Sequence, residues 1–420
     1  MTHRVLITAA ATFALALGAF GLLARGDRTE GTGPSVRASL PSLPPPSATT
    51  DQRIAALQQT VRMAPQVADG YTLLAGAYAQ KVRETGDASF YNRAAGALRT
   101  ALALDPHDAA ALTQRGALEL SRHDFRDGLR DALAARRLAP LVDKPFGVLV
   151  DALVELGRYG QAQRALQEMV DRKPDLAAYA RVSYFRELHG DLAGARDALV
   201  RALSAGGEAA ENVAYVDTLL SHVDLLRGRP DLAAREAREA LARFPGYPAA
   251  GAALARVQVA RGDLSGAIRR MRGVVARLPL PEHVILLGET QQAAGHARAA
   301  RRTFALVGAE QRLLAAAGVN TDVELSIFEA DHGSPSRALS LARAAWAAAP
   351  SVRSADALGW ALTRSGHRAQ GLRWARRALA LGTADPAFRA HAALAGDRAA
   401  RAPALRSVAL SPLLRKELER

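Results

Sequence analysis

Residues whose types suit chemistry are few in this 420-residue chain. It contains no cysteine, which excludes disulfides, thiolate-ligated zinc, iron–sulfur clusters, a thiol nucleophile and lipid attachment through an N-terminal Cys. No G-x-S-x-G, G-x-x-x-x-G-K-[ST], G-x-G-x-x-G or H-E-x-x-H is present, so the common nucleophile, phosphate and zinc arrangements are missing. Gly31-Thr32-Gly33 has no strand before it. His123, His189, His296, His332 and His367 fall near predicted turns, where a helix C-terminus favours a cation and water is at hand. Glu329, Asp331 and His332 have metal-ligand types, but helical spacing does not align all three. No catalytic, cofactor-binding or metal-binding residue is therefore assigned, and an enzyme is not expected.

The elements around these residues read as stacked helices. The chain is 49% hydrophobic but only 5% aromatic, thin material for a large mixed core. Roughly a fifth is Ala, the strongest helix former and small enough to let helices approach closely. Past Asp51 the sequence repeats. His123, Gly157, Gly190, Gly228, Gly262, Gly295, Gly333 and Gly366 recur in steps of 33 to 38 residues, and Pro106, Pro140 and Pro174 are 34 apart, as are Pro245 and Pro279. A period of this length predicts a solenoid of helix pairs. The Gly column should end each first helix in the left-handed conformation, and the Pro column should stop each second helix. In register with these marks, one column reads Ala94, Gly128, Ala162, Ala195, Ala233, Ala267, Ala300, Ala338 and Gly371. A second runs from Ala101 to Ala378 and a third from Ala75 to Gly359, both mostly small, as close antiparallel packing requires.

This pattern resembles the tetratricopeptide repeat family, most clearly at Phe146 to Pro174 and Ala249 to Pro279. The resemblance implies an all-α, right-handed superhelical solenoid of antiparallel helix pairs, with about nine repeats and terminal half repeats over residues 51–386, and a degenerate capping segment over 387–420. Seven extra residues around Arg83 to Asp87 interrupt the period, as do Gly207 to Asn212 and Gly308 to Asn320. Members of the family bind partners in a concave groove lined by the first helix of each pair. Here the corresponding exposed stripe is Asp151, Tyr184, His222, Arg256, Glu289 and Trp360. Its mixture of both charge signs with aromatics suits a peptide or helix anchored by Tyr184 and Trp360.

Ahead of the repeats, His3 and Arg4 precede an uncharged stretch from Val5 to Ala24, long enough to span a bilayer. Residues 1–24 are expected to be a transmembrane signal anchor, or a signal peptide cleaved near Ala19 and Gly21. Arg4 favours a cytoplasmic N-terminus and an exported C-terminal domain. Residues 25–50, rich in Pro, Ser and Thr, read as an extended tether. The net charge of +14 comes from 51 Arg against 4 Lys, resembling the codon bias of a high-GC bacterial genome. Residues 351–420 carry +8 of it, and without interleaved aromatics they read as a solvated basic face rather than a nucleic-acid groove.

The expected function is a non-enzymatic protein-interaction scaffold: a membrane-tethered adaptor holding a peptide or helix of an envelope protein, with no cofactor and no nucleic-acid partner. A self-assembling structural repeat protein and a regulatory module serving an enzyme in trans are the alternatives.

Overall fold

The computed structural model describes residues 48–206 and 210–420. The expected membrane segment over 1–24 and nearly all of the tether lie outside them. Among the described residues are 22 helices and no strand, and no helix is long and apolar enough to cross a membrane.

Helix α1 (Thr50–Met63) is the half repeat, closed by a capping box at Thr49 and Gln52. Nine antiparallel pairs follow. The first four are α2 (Ala68–Thr85) with α3 (Ser89–Leu104), α4 (Ala109–Ser121) with α5 (Phe125–Leu138), α6 (Lys144–Glu155) with α7 (Tyr159–Arg172), and α8 (Leu176–Leu188) with α9 (Leu192–Ala205). Next come α10 (Ala210–Leu226) with α11 (Pro230–Arg243), α12 (Pro248–Ala260) with α13 (Leu264–Arg277), and α14 (Pro281–Ala293) with α15 (Ala297–Ala316). The last two are α16 (Asp322–His332) with α17 (Pro335–Ala348), and α18 (Val352–Arg364) with α19 (Arg368–Ala378). A shorter pair, α20 (Pro386–Ala395) with α21 (Arg398–Arg406), and the single helix α22 (Pro412–Leu418) complete the chain.

The local signals act as predicted. Pro106, Pro140, Pro174, Pro245, Pro279 and Pro350 each stand two residues beyond the last residue of a second helix. Gly157, Gly190, Gly228, Gly262, Gly295 and Gly366 have positive φ, and His123 is the one non-glycine with positive φ among the described residues. Gly333 departs, with φ −124°. Pro335 restricts Ser334 to extended backbone, Ser334 caps α17, and the reversal is completed there instead. After several turns an Asp caps the second helix, as where Asp191 Oδ1 and Asp263 Oδ1 accept the N–H of Gly194 and Gly266 at 2.8 Å. All three small-residue columns are buried between paired helices. Two of the extra stretches lengthen helices rather than forming loops: α2 has 18 residues and α15 has 20.

The superhelix closes on itself, which repeat spacing does not reveal. Corners of the first superhelical turn meet the second at positions 192 or 193 residues apart: Gly86 with Leu278, Gly157 with Pro350, and Gly190 with Gly382. Tyr159 Oη accepts the N–H of Val352 (2.9 Å), Arg122 O accepts that of Asn320 (2.9 Å), and Arg126 Nη2 donates to Ala347 O (2.6 Å). Ala349, Val352, Ala355 and Phe388 thereby join the core formed by α6, α8 and α10.

The C-terminal segment does more than cover an end. Val408 and Ala409 pack on Leu225 and Leu254, Leu410, Leu414 and Leu418 pack on Leu358 and Trp360, and α22 touches α14 and α20. The tail is folded onto the first helices of several pairs.

Candidate binding cavity

The concave side is built by the first helices, and side chains one repeat apart pair across it. Asp151 takes a bidentate contact from Arg181 (2.9 and 2.7 Å). Glu187 Oε1 meets His222 Nε2 at 3.1 Å, and Glu289 Oε1 meets His332 Nε2 at 3.0 Å. Trp360 Nε1 donates to Asp331 (2.8 Å), and His391 sits 2.9 Å from Asp356 with its ring stacked on Trp360 at 4.4 Å. Each bond joins neighbouring first helices and satisfies a group that burial would otherwise penalise.

Closure places a cavity of about 250 Å³ at the centre of this ladder. Eight first helices line it, with Val82, Tyr184, His222, Arg256, Glu282, Glu324, Arg353 and Phe388 among their side chains. Arg353 from the second turn bonds Glu324 (3.2 Å) and pairs with Glu155 of α6 (3.5 Å), whose other oxygen faces Tyr184 Oη at 3.5 Å. Tyr215, Tyr247, Leu219 and Leu278 supply apolar wall. A smaller space of about 70 Å³ beneath the C-terminal tail is also bordered by His222 and Arg256.

Burial sets the protonation of the site. Desolvation pushes Glu282 up to about 7, with Glu324 adding to it and Arg256 opposing. It also lowers Arg256 from its ordinary value, while nearby Glu282 and Glu289 oppose. Burial works against the His222 cation, but the Glu187 carboxylate outweighs it and the imidazole lies above its usual value. Deeper in, desolvation raises Glu289 well above the carboxylate range and lowers His332 to about 3. Asp331 is pushed up to about 7, again mainly by burial.

The six residues of the predicted stripe divide in two. Tyr184, His222 and Arg256 reach the cavity together. Asp151, Glu289 and Trp360 do not form an exposed stripe: Trp360 and Glu289 are each 1% exposed, and Asp151 is held by Arg181. The tight superhelix and the docked tail cover positions that an open groove would leave free. Likewise His332 does not face water at its turn, because its side chain is 3% exposed against Glu289 and stacked near Phe304. Glu329, Asp331 and His332 point to different partners, Ser334 with Arg337, Trp360, and Glu289.

Residues 224–284 match the tetratricopeptide repeat family, and the same kind of helical hairpin recurs from α2 to α19. No curated protein matches it in sequence. Among solved structures it is similar to the human IFIT1 dimer with m7Gppp-AAAA, at 14% identity over 79% of this chain and 78% of that one, with a TM-score of 0.50. It is also similar to PilW, described as a widely conserved type IV pilus biogenesis factor, at 19% identity over 49% of this chain and 94% of that one, with a TM-score of 0.41. A third is Pseudomonas aeruginosa pilF, at 18% identity over 47% and 85%, with a TM-score of 0.34. These likenesses concern the fold alone.

Proposed function

We propose that this protein is a non-catalytic interaction scaffold whose concave face receives a short segment of a partner protein. The observation that carries the reading is the protein's own tail. Leu410, Leu414 and Leu418 lie buried on the first helices, so this face already accepts a short amphipathic helix. Tyr184, His222 and Arg256 are the polar and aromatic contacts offered to the partner, while Asp151, Glu289 and Trp360 hold the neighbouring helices in register. Glu187, Glu211, Glu282, Glu324 and Asp385 outnumber Arg83, Arg256 and Arg353 around the cavity, so it offers a nucleic-acid strand no cluster of cations for successive phosphates. Residues 1–24 would tether the scaffold to a bacterial cell membrane, with the repeats exported and the partner an envelope protein.

The test is site-specific photo-crosslinking in source-cell envelopes, with the photoreactive residue at His222 or, as a convex control, at Arg298. A discrete crosslinked partner at 222, absent at 298 and lost in Arg256→Glu, supports the reading. Crosslinks at 298 alone would move recognition to the outer surface.

A further inference from the structure

Arg256 is the arginine of the cavity wall without a paired carboxylate; Arg83 and Arg353 have theirs. Among the described residues its guanidinium makes no hydrogen bond or ion pair, and its Nε is sealed from solvent with no acceptor. The carboxylates around it are engaged elsewhere. Glu187 meets His222, Glu289 meets His332, and Asp385 accepts the N–H groups of Ala387 and Phe388 at the start of α20. Among the described residues Glu282, whose Oε1 is likewise buried without a hydrogen-bond partner, forms no ion pair with it, and burial pushes this carboxyl up to about 7, toward its neutral form. An enclosed cation left this way is costly unless an anion joins it.

We propose that the 250 Å³ cavity binds a small organic monocarboxylate with an apolar body, its carboxylate on Arg256 and its body against Tyr184, Tyr215, Tyr247 and Leu219. The volume lies at the small end of ligand sites, suited to an arylalkanoate and too small for a polymeric anion. A planar guanidinium recognises a carboxylate in two-pronged fashion. The site goes beyond the partner reading. It requires no protein partner, and its test contains none.

Calorimetry on the full chain in mild detergent would compare benzoate, 3-phenylpropionate and 4-phenylbutyrate with their neutral amides. The expected result is that at least one acid binds about tenfold or more tightly than its amide, the factor that about 1.4 kcal/mol supplies. In Arg256→Gln, which removes an unmatched buried charge and should fold, the acid and amide affinities converge. Leu219→Trp keeps Arg256 but fills the cavity, and it abolishes binding of both. The proposal is overturned if no acid binds, if acid and amide bind alike in the natural protein, if the preference survives Arg256→Gln, or if binding persists in Leu219→Trp. A scaffold that captures no partner would leave all of these readouts unchanged.

Discussion

Replacing Gly157 by Ala tests whether the two superhelical turns are docked, because two separable penalties meet there. Gly157 has φ +68°, and a Cβ would lie 2.2 Å from Pro350 O in the second turn. Gly262 has φ +80° with nothing within 4 Å of the same position. Both substitutions carry the left-handed backbone cost, roughly 1–2 kcal/mol. Gly157→Ala alone must also push a backbone carbonyl away, at about 1–3 kcal/mol by analogy with overpacked cores. The reporter is the Val352 amide, which donates to Tyr159 Oη across the same contact. If opening the contact becomes easier by about 1–3 kcal/mol, exchange of that amide rises roughly 5- to 150-fold. Gly262→Ala should leave it unchanged while weakening its own hairpin. Hydrogen exchange followed by mass spectrometry resolves both peptides. Equal Val352 exchange in the two variants would refute docking, whatever the melting temperatures show.

Further outcomes follow from the same packing. Trp360→Ala removes a ring that is 1% exposed and stacked on His391, and should cost about 3–5 kcal/mol in urea unfolding; that residue acts on stability before it acts on any partner. Leu414→Ala, at a fully buried position in α22, should cost about 2–5 kcal/mol and raise hydrogen exchange in α14 and α20. Glu282 is held up to about 7 chiefly by burial, above its ordinary 4.5. Between those values the folded protein keeps a proton that the unfolded chain releases, so this contribution to stability is lost as pH rises through the window. Glu282→Gln removes the dependence, and thermal melts should find it more stable relative to the natural protein at about pH 8 than at about pH 5.

The hairpins were legible because they depend on neighbours in sequence. Ala162 and Ala195 are fully buried where the columns put them, and Pro174 and Pro279 stop helices as their spacing implied. The pairs across adjacent first helices left a weaker trace: Glu187 and His222 are 35 residues apart, as are Asp356 and His391, close to the repeat itself. Reading opposite charge one repeat away would have found them. Arg353 with Glu155, and Tyr159 with Val352, had no such signal. Their proximity depends on the small rotation between successive pairs, which accumulates over a superhelical turn and is set by side-chain volumes between helices rather than by any motif. For that reason the repeat pattern implies an open groove with Trp360 and Glu289 exposed, whereas both are buried.

A distance measurement across the turns tests closure most directly. The chain has no native cysteine, so Arg126→Cys with Ala347→Cys gives two unique spin-label sites, both exposed and bridged in the structure by the Arg126 Nη2 to Ala347 O bond of 2.6 Å. Pulsed electron paramagnetic resonance on the full chain should return one narrow distance at the short end of the measurable range. A long or broad distribution would mean that the superhelix stands open, and with it would go the cavity and the roles given to Arg256 and the C-terminal tail.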